Sequence, residues 1–266
     1  MKLENITSKN NEKIKSAVAI RDSASRRRKS GRFFVEGARL CGDAAISGGD
    51  ILQFFFTEKA KEKFADFYNK IISVAKESYC ISEEVSKKLS DTQGPQGMFC
   101  VCGAKNKDAH GDKINPHGKY IFLENVQDPS NLGAVARTAE AMGIDGLIVS
   151  GGCDIYNPKA LRACMGAFFR LNIIESDDVI GFIRSAQKEG VKVYASTPQS
   201  TAAKITEADL SGGVILIVGN EGNGVTPKAM EAADGKVTIP MLGRAESLNA
   251  STAAAILIWE MVRRGS

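Results

Sequence analysis

The chain has 266 residues, 43% hydrophobic and 25% charged, which is the composition of a folded protein large enough for one big domain or two ordinary ones. No apolar run reaches the ~18 residues of a membrane-spanning helix. The opening MKLENITSKNNEK lacks the apolar stretch of a secretory signal, so a cytoplasmic location without membrane attachment is expected. The formal net charge of +4 is unevenly carried: residues 1–103 hold 18 Lys+Arg against 13 Asp+Glu, and the remainder holds 17 against 18.

The only histidines, His110 and His117, fall in the polar, glycine-rich stretch GAKNKDAHGDKINPHGK. A histidine base or a His-bearing metal cluster is therefore not expected in the folded body. The six cysteines show no C-x-x-C pair and read as reduced thiols, so no metal site is expected. Four segments follow from these patterns: a basic helix or arm over 1–32, a small α/β unit over 33–103, a linker over 104–118 and a larger α/β unit over 119–266.

Within the first segment, RDSASRRRKSGR (21–32) places six cations against one acid. It reads either as a solvated arm or as a phosphate-binding segment, since such clusters gain affinity by displacing counterions from nucleic acid. Next, FFVEGARLCGDAAISGG predicts a strand running into a helix. ILQFFFTEK predicts an apolar strand, and AKEKFADFYNKII one helix with Phe64, Phe67 and Ile71 on a single face. SYCI, EEVSKKLS and QGMFCVCGA predict strand, helix and strand. Phe54, Phe55 and Phe56 could stack on bases, although an apolar run with no interleaved cation is more naturally core.

From Tyr120 the alternation sharpens. KYIFLENV, GLIVSG, LNIIES, VKVYAST, GGVILIVGNEG and KVTIPM predict strands, and NLGAVARTAEAMG, NPKALRACMGA, DDVIGFIRSAQKEG and ASTAAAILIWEM predict helices, the last running to Arg264. Strands this apolar, separated by helices, imply a parallel sheet covered on both faces. Ligands bind such sheets at the carboxyl ends of the strands.

Three strand ends stand out. ENVQDPSNLGAVARTAEAMG offers Asp128 or Ser130 as a helix cap, and Arg137 with Glu140 one turn later as a pair on one face. GNEGNGVT (219–226) is glycine-rich, but no Gly-Lys-Ser/Thr follows, so it is not a P-loop. Glu221 would repel a phosphate there and suits a hydroxyl donor or a cation better. LGRAESLNAST then crowds small polar residues at the start of a helix that is apolar nearly all round. A helix without a polar face is normally buried, so those groups either cap it or line a site.

In combination and order, N-x-G-x-x-x-R-T-A, G-N-E-G-x-G and I-P-M-x-G-x-x-E-S-L-N resemble the three motifs of the SpoU (TrmH) branch of the SPOUT methyltransferases, over about 120–264. The VEG-x-R-L segment is similar to the L30e-like substrate-binding domain of many members. The resemblance implies an α/β fold: a SPOUT domain with a parallel sheet and a deep C-terminal trefoil knot, an exception to unknotted topology, preceded by a small L30e-like α/β domain. It implies S-adenosylmethionine as cofactor, a ribose 2′-hydroxyl of RNA as substrate, and a homodimer formed through the knot domain. A guanosine of large-subunit (23S) rRNA is the expected target, with tRNA as the alternative.

By the same resemblance, Ser196, Thr197, Gly219, Asn220, Glu221, Gly222, Ile239, Met241, Ser247, Leu248 and Asn249 would hold the cofactor. Ile239, Met241 and Leu248 would take adenine, and Gly219 and Gly222 would permit close approach. Asn131, Arg137, Glu221, Ser247 and Asn249 would serve catalysis, with Glu140 orienting Arg137. A guanidinium with pKa above about 12 is a poor base, so Arg137 is expected to grip phosphate and stabilise the developing alkoxide. Arg21, Arg26, Arg27, Arg28, Lys29, Arg32 and Arg39 would bind RNA. Ala250, Thr252 and Cys164 depart from common family residues at positions not expected to touch the methyl group. Two other readings compete: a non-catalytic RNA-binding ribosome-assembly factor, and a nucleotide-binding enzyme using GNEGNG for phosphates.

Overall fold

The computed structural model describes residues 4–104 and 114–263. His110, Arg264 and most of the expected linker thus lie outside the described residues. The chain forms two compact units, one from residues up to 104 with 154–169, the other from 114–153 with 170–263. Residues 154–169, which the sequence boundaries put inside 119–266, cluster with the first unit.

The first unit begins with β1 (Glu4–Ile6), α1 (Glu12–Asp22) and α2 (Ala24–Ser30). Ser23 ends α1, and its side chain accepts from the Arg26 amide to start α2, which stops at Gly31 in the left-handed region, φ 61°. The basic stretch is therefore helical over most of its length. Then come β2 (Arg32–Glu36), α3 (Ala38–Ile46), β3 (Ile51–Phe56), α4 (Glu58–Lys63), α5 (Ala65–Ile72), β4 (Glu77–Ile81), α6 (Glu83–Leu89) and β5 (Met98–Gly103). The sheet order is β1-β4-β3-β5-β2, with β5 antiparallel to both neighbours and the other pairs parallel.

Where one helix was expected over 60–72, two are found. Phe64 leaves the helical region at φ −123°, ψ 42°, and its amide closes α4 on the Ala60 carbonyl. The break lets Ile71 bury fully and sets the Tyr68 ring edge-on to Phe56, centroids 4.8 Å apart. Phe54, Phe55 and Phe56 have no exposed surface. Strand alternation sends Phe55 to Phe34, Tyr79 and Phe99, and Phe54 with Phe56 to Tyr68. Each contributes about 1.5–3 kcal/mol as core, and none is free to stack on a base. Glu36 of the VEG segment is buried and accepts from Ser90 Oγ (2.6 Å), the Asp91 amide (3.0 Å) and Thr92 Oγ1 (2.8 Å), which fixes the loop after α6.

The second unit runs β6 (Lys119–Glu124), α7 (Pro129–Ala141) and β7 (Gly146–Ser150). After α8 (Pro158–Ala163) and α9 (Ala167–Arg170) it resumes with β8 (Ile173–Glu175), α10 (Val179–Lys188), β9 (Lys192–Ser196), β10 (Ala203–Lys204), β11 (Val214–Val218), α11 (Pro227–Ala232), β12 (Gly235–Thr238) and α12 (Ala250–Arg263). All seven strands pair in parallel, in the order β10-β12-β9-β11-β6-β7-β8. The apolar runs that predicted a sheet covered on both faces are buried, and so is every residue of β7 and β11. One side chain layer joins Phe122, Ile148 and Ile215 to Ile183, Ala186 and Ala229 of α10 and α11. α12 packs on α7, β11 and β6. Among the described residues no helix is long and apolar enough to cross a membrane.

Arg27 lies inside the first unit at 5% exposure. It donates from Nε to Asp154 at 2.6 Å and from Nη1 to the Ile20 and Arg21 carbonyls. Removing one partner of a buried pair strands the other, at about 3–5 kcal/mol. Arg27→Ala should therefore lower the unfolding midpoint strongly in a urea titration, whereas exposed Arg28→Ala should change stability by no more than about 0.5 kcal/mol.

Candidate active site

Strands β12, β9, β11 and β6 lie side by side and parallel, so their carboxyl ends share one edge of the sheet. Above that edge opens a cavity of ≈ 410 Å³. Its walls come from three strand ends: Ser196 to Gln199 after β9, Val218 to Gly224 after β11, and Ile239, Met241 and Glu246 to Leu248 after β12, with Ala250, Ala253 and Met230 beside them. Of the residues expected to hold a cofactor, all but Asn249 line it. Gln199, Asn223 and Glu246 line it too. Glu246 stood within the third motif and Asn223 at the free position of the glycine loop, whereas Gln199 carried no sequence signal.

The glycine loop folds back on itself. Asn220 and Gly224 exchange both backbone hydrogen bonds, at 3.0 and 2.9 Å. A Cβ on Gly219 would come within 2.0 Å of the Gly224 carbonyl carbon, so glycine is required there by the turn itself. Gly222 meets nothing closer than Asn220 Oδ1 at 3.5 Å and does leave room at the rim. Asn220 Oδ1 accepts from the Gly222 and Asn223 amides, and its Nδ2 donates to the Asn125 carbonyl at 3.0 Å. Asn125 holds φ 56°, a left-handed conformation that Asn tolerates better than most residues. Asn220 thus organises the loop with the same atoms that could have met a ligand.

Glu221 binds the loop after β6. Its carboxylate accepts from the Gln127 amide (3.1 Å), the Asp128 amide (3.1 Å) and Asn131 Nδ2 (3.0 Å). Partial burial pushes its pKa up, but Asn131 and the two backbone amides outweigh that and hold it below the usual carboxylate range. Asp128 caps α7 by accepting from the Ser130 amide at 2.8 Å, with Pro129 in the first turn. Asn131 Oδ1 in turn accepts from Asn249 Nδ2 at 3.0 Å. Asn249 Oδ1 takes the Ser251 and Thr252 amides and the Ser251 hydroxyl, at 2.9, 3.3 and 2.7 Å. The start of α12 is capped and also tied into the site, through one side chain. Residues 242–249 are nonetheless exposed, and burial begins only at Ala250, so the polar cluster sits on an open rim rather than in the interior.

Arg137 is not brought to this group. It is exposed, does not line the cavity, and makes no ion pair among the described residues. The expected pairing with Glu140 does not form, because Arg170 Nε reaches Glu140 Oε1 at 2.7 Å instead. In the first unit, Arg26, Arg28, Lys29, Arg32 and Arg39 are exposed. Arg21 and Arg27 are not presented to RNA: Arg21 Nη1 is spent on the Lys88, Leu89 and Ser90 carbonyls at the end of α6, and Arg27 is buried.

A carboxylate whose folded pKa lies below its unfolded value, about 4.3, contributes stability in full above that value and loses it as pH falls through the folded pKa. Glu221→Gln should speed hydrogen exchange at the Gln127 and Asp128 amides across the neutral range. Wild type should show the same loss only in acid, below the usual carboxylate range.

This geometry can be set beside known proteins. Residues 118–259 match the model of the SpoU rRNA Methylase family, and residues 11–100 that of the MRM3-like substrate binding domain. The 23S rRNA (guanosine(2553)-2′-O)-methyltransferase RlmP of Bacillus subtilis is 31% identical, over 97% of this chain and 99% of its own. A 23S rRNA (uridine(2479)-2′-O)-methyltransferase of Streptomyces viridochromogenes is 24% identical, over 97% of this chain and 92% of its own. An AdoMet-bound rRNA methyltransferase from Sinorhizobium meliloti superposes with a TM-score of 0.87 at 27% identity, covering 98% of each chain. With a seven-stranded parallel sheet, a cavity at its carboxyl edge and a family model spanning more than half its length, the chain belongs to the SpoU rRNA methylase family.

Proposed function

We propose that this protein is an S-adenosylmethionine-dependent RNA methyltransferase that acts on a ribose 2′-hydroxyl of a guanosine in 23S rRNA, in the cytoplasm. The observation that carries the reading is the hydrogen-bonded series Glu221–Asn131–Asn249 at the rim of the ≈ 410 Å³ cavity, which ties together three strand ends. The full-length similarity to RlmP favours rRNA over tRNA, and the exposed cations Arg26, Arg28, Lys29, Arg32 and Arg39 give the first unit its RNA-binding surface.

The cavity suits the cofactor: its volume lies in the range of small-molecule sites, and its walls join apolar Ile239, Met241 and Leu248 to polar Ser247 and Glu221. Bound there, S-adenosylmethionine supplies a methyl group made electrophilic by its sulfonium. Ile239, Met241 and Leu248 hold adenine. Asn131 and Asn249 position the ribose hydroxyl, and Glu221 keeps both loops in register. Arg137 grips the adjacent phosphate with its planar fork and stabilises the developing alkoxide, while phosphate or water takes the proton.

Arg137 does not line the cavity of its own subunit, which supports a homodimer in which it serves the partner's site. Trp259 of α12 is 52% exposed, a large apolar ring suited to such a contact. The C-terminal trefoil knot belongs to the same reading.

Incubation with methyl-labelled S-adenosylmethionine and unmodified rRNA or tRNA should place a 2′-O-methyl on rRNA. Label on neither RNA would count against the proposal. In that assay Arg137→Lys should lower kcat on the order of 100-fold with cofactor affinity unchanged, because the charge remains but the fork is lost. Light scattering at micromolar concentration should report a dimer, and Trp259→Glu should shift it towards the 28.5 kDa monomer.

A further inference from the structure

Building on the methyltransferase reading, we propose that Glu246 acts as a charge filter, recognising the cationic sulfonium of S-adenosylmethionine and so favouring the cofactor over the uncharged thioether of the product. The residues lining the cavity include two carboxylates, Glu221 and Glu246, and no Lys, Arg or His. The two carboxylates are not equivalent. Both oxygens of Glu221 are taken by N–H donors from the loop after β6. Glu246 is exposed and makes no hydrogen bond or ion pair among the described residues, so its charge is uncommitted. Arg244, two residues upstream on the same loop, does not line the cavity.

The loop that carries Glu246 is anchored three residues later, where Asn249 donates to Asn131. That anchor belongs to the polar series assigned to the reacting hydroxyl, and Glu246 itself lines the cavity three residues before it. S-adenosylmethionine and S-adenosylhomocysteine share adenine, ribose, ammonium and carboxylate. They differ by one methyl group and one positive charge. A carboxylate that no lysine or arginine of its own cavity wall neutralises reads that difference, and its preference helps to clear product after each turnover. In a half-solvated cavity such an attraction amounts to roughly a tenfold preference.

Titration calorimetry on the full chain at low ionic strength tests this with three ligands: S-adenosylmethionine, S-adenosylhomocysteine, and sinefungin, which carries an amine where the sulfonium stands. Wild type should bind the two cationic ligands about tenfold more tightly than S-adenosylhomocysteine. Raising the salt towards 1 M should compress that ratio. Glu246→Gln should reduce the ratio to about twofold while leaving S-adenosylhomocysteine affinity unchanged, which also reports an intact cavity. Glu246→Asp should retain most of the preference. Equal affinities in wild type would overturn the proposal. So would a Glu246→Gln variant that weakens all three ligands alike, since that places the carboxylate on the shared ammonium. Absence of binding by any of the three to wild type would sink the cofactor reading itself.

Discussion

One carboxylate joins parts of the chain that are some 90 residues apart. Glu221 leaves a tight glycine turn after β11 and accepts three N–H groups from the loop that opens α7. Two of these are backbone amides near the start of that helix, where donors lack partners and the field favours an anion. The third, from Asn131, passes the constraint to Asn249 and so to the cap of α12. Without that anion, the Gln127 and Asp128 amides lose their acceptor, and only Asn220, through the Asn125 carbonyl, still ties the glycine turn to the end of β6. The cavity wall therefore depends on electrostatics between loops as much as on the rigid sheet beneath them.

The sheet itself was plainly legible, because its strands are continuous apolar runs that only a doubly covered parallel sheet can bury. Every strand of the second unit except the two-residue β10 was readable, and α11, a six-residue helix, was too short to show periodicity. β1 escaped notice because its pattern exposes two of three residues, and its place is set by pairing with β4, far along the chain. The division of 60–72 into two helices escaped for a related reason: the Phe64 break is dictated by how Tyr68 meets Phe56, a contact that no local window contains.

The candidate site was legible in membership more than in role. The glycine loop and the third motif announced which residues meet at the cavity. Sequence could not show that Asn220 is consumed within its own turn, that Gly219 is demanded by Gly224 rather than by a ligand, or that Glu140 belongs to Arg170. Charge runs were the least informative signal. Of the cations in 21–32, Arg21 and Arg27 are bound to carbonyls inside the unit, because a guanidinium with five donors is as good a structural cap as it is a phosphate clamp.

Residues 154–169 leave the second unit after β7 and complete the first, where Tyr156 stacks on Phe33 at 4.3 Å and Asp154 neutralises Arg27. The first unit is thus discontinuous in sequence. As the chain emerges from the ribosome, its N-terminal hundred residues have a sheet but lack the acid that their buried arginine requires and the ring that covers Phe33. They reach their final packing only after β6, α7 and β7 have also been made. A fragment cut after β5 would carry an unpaired internal charge and an uncovered aromatic, so the order of synthesis binds the maturation of the first unit to the opening strands of the second.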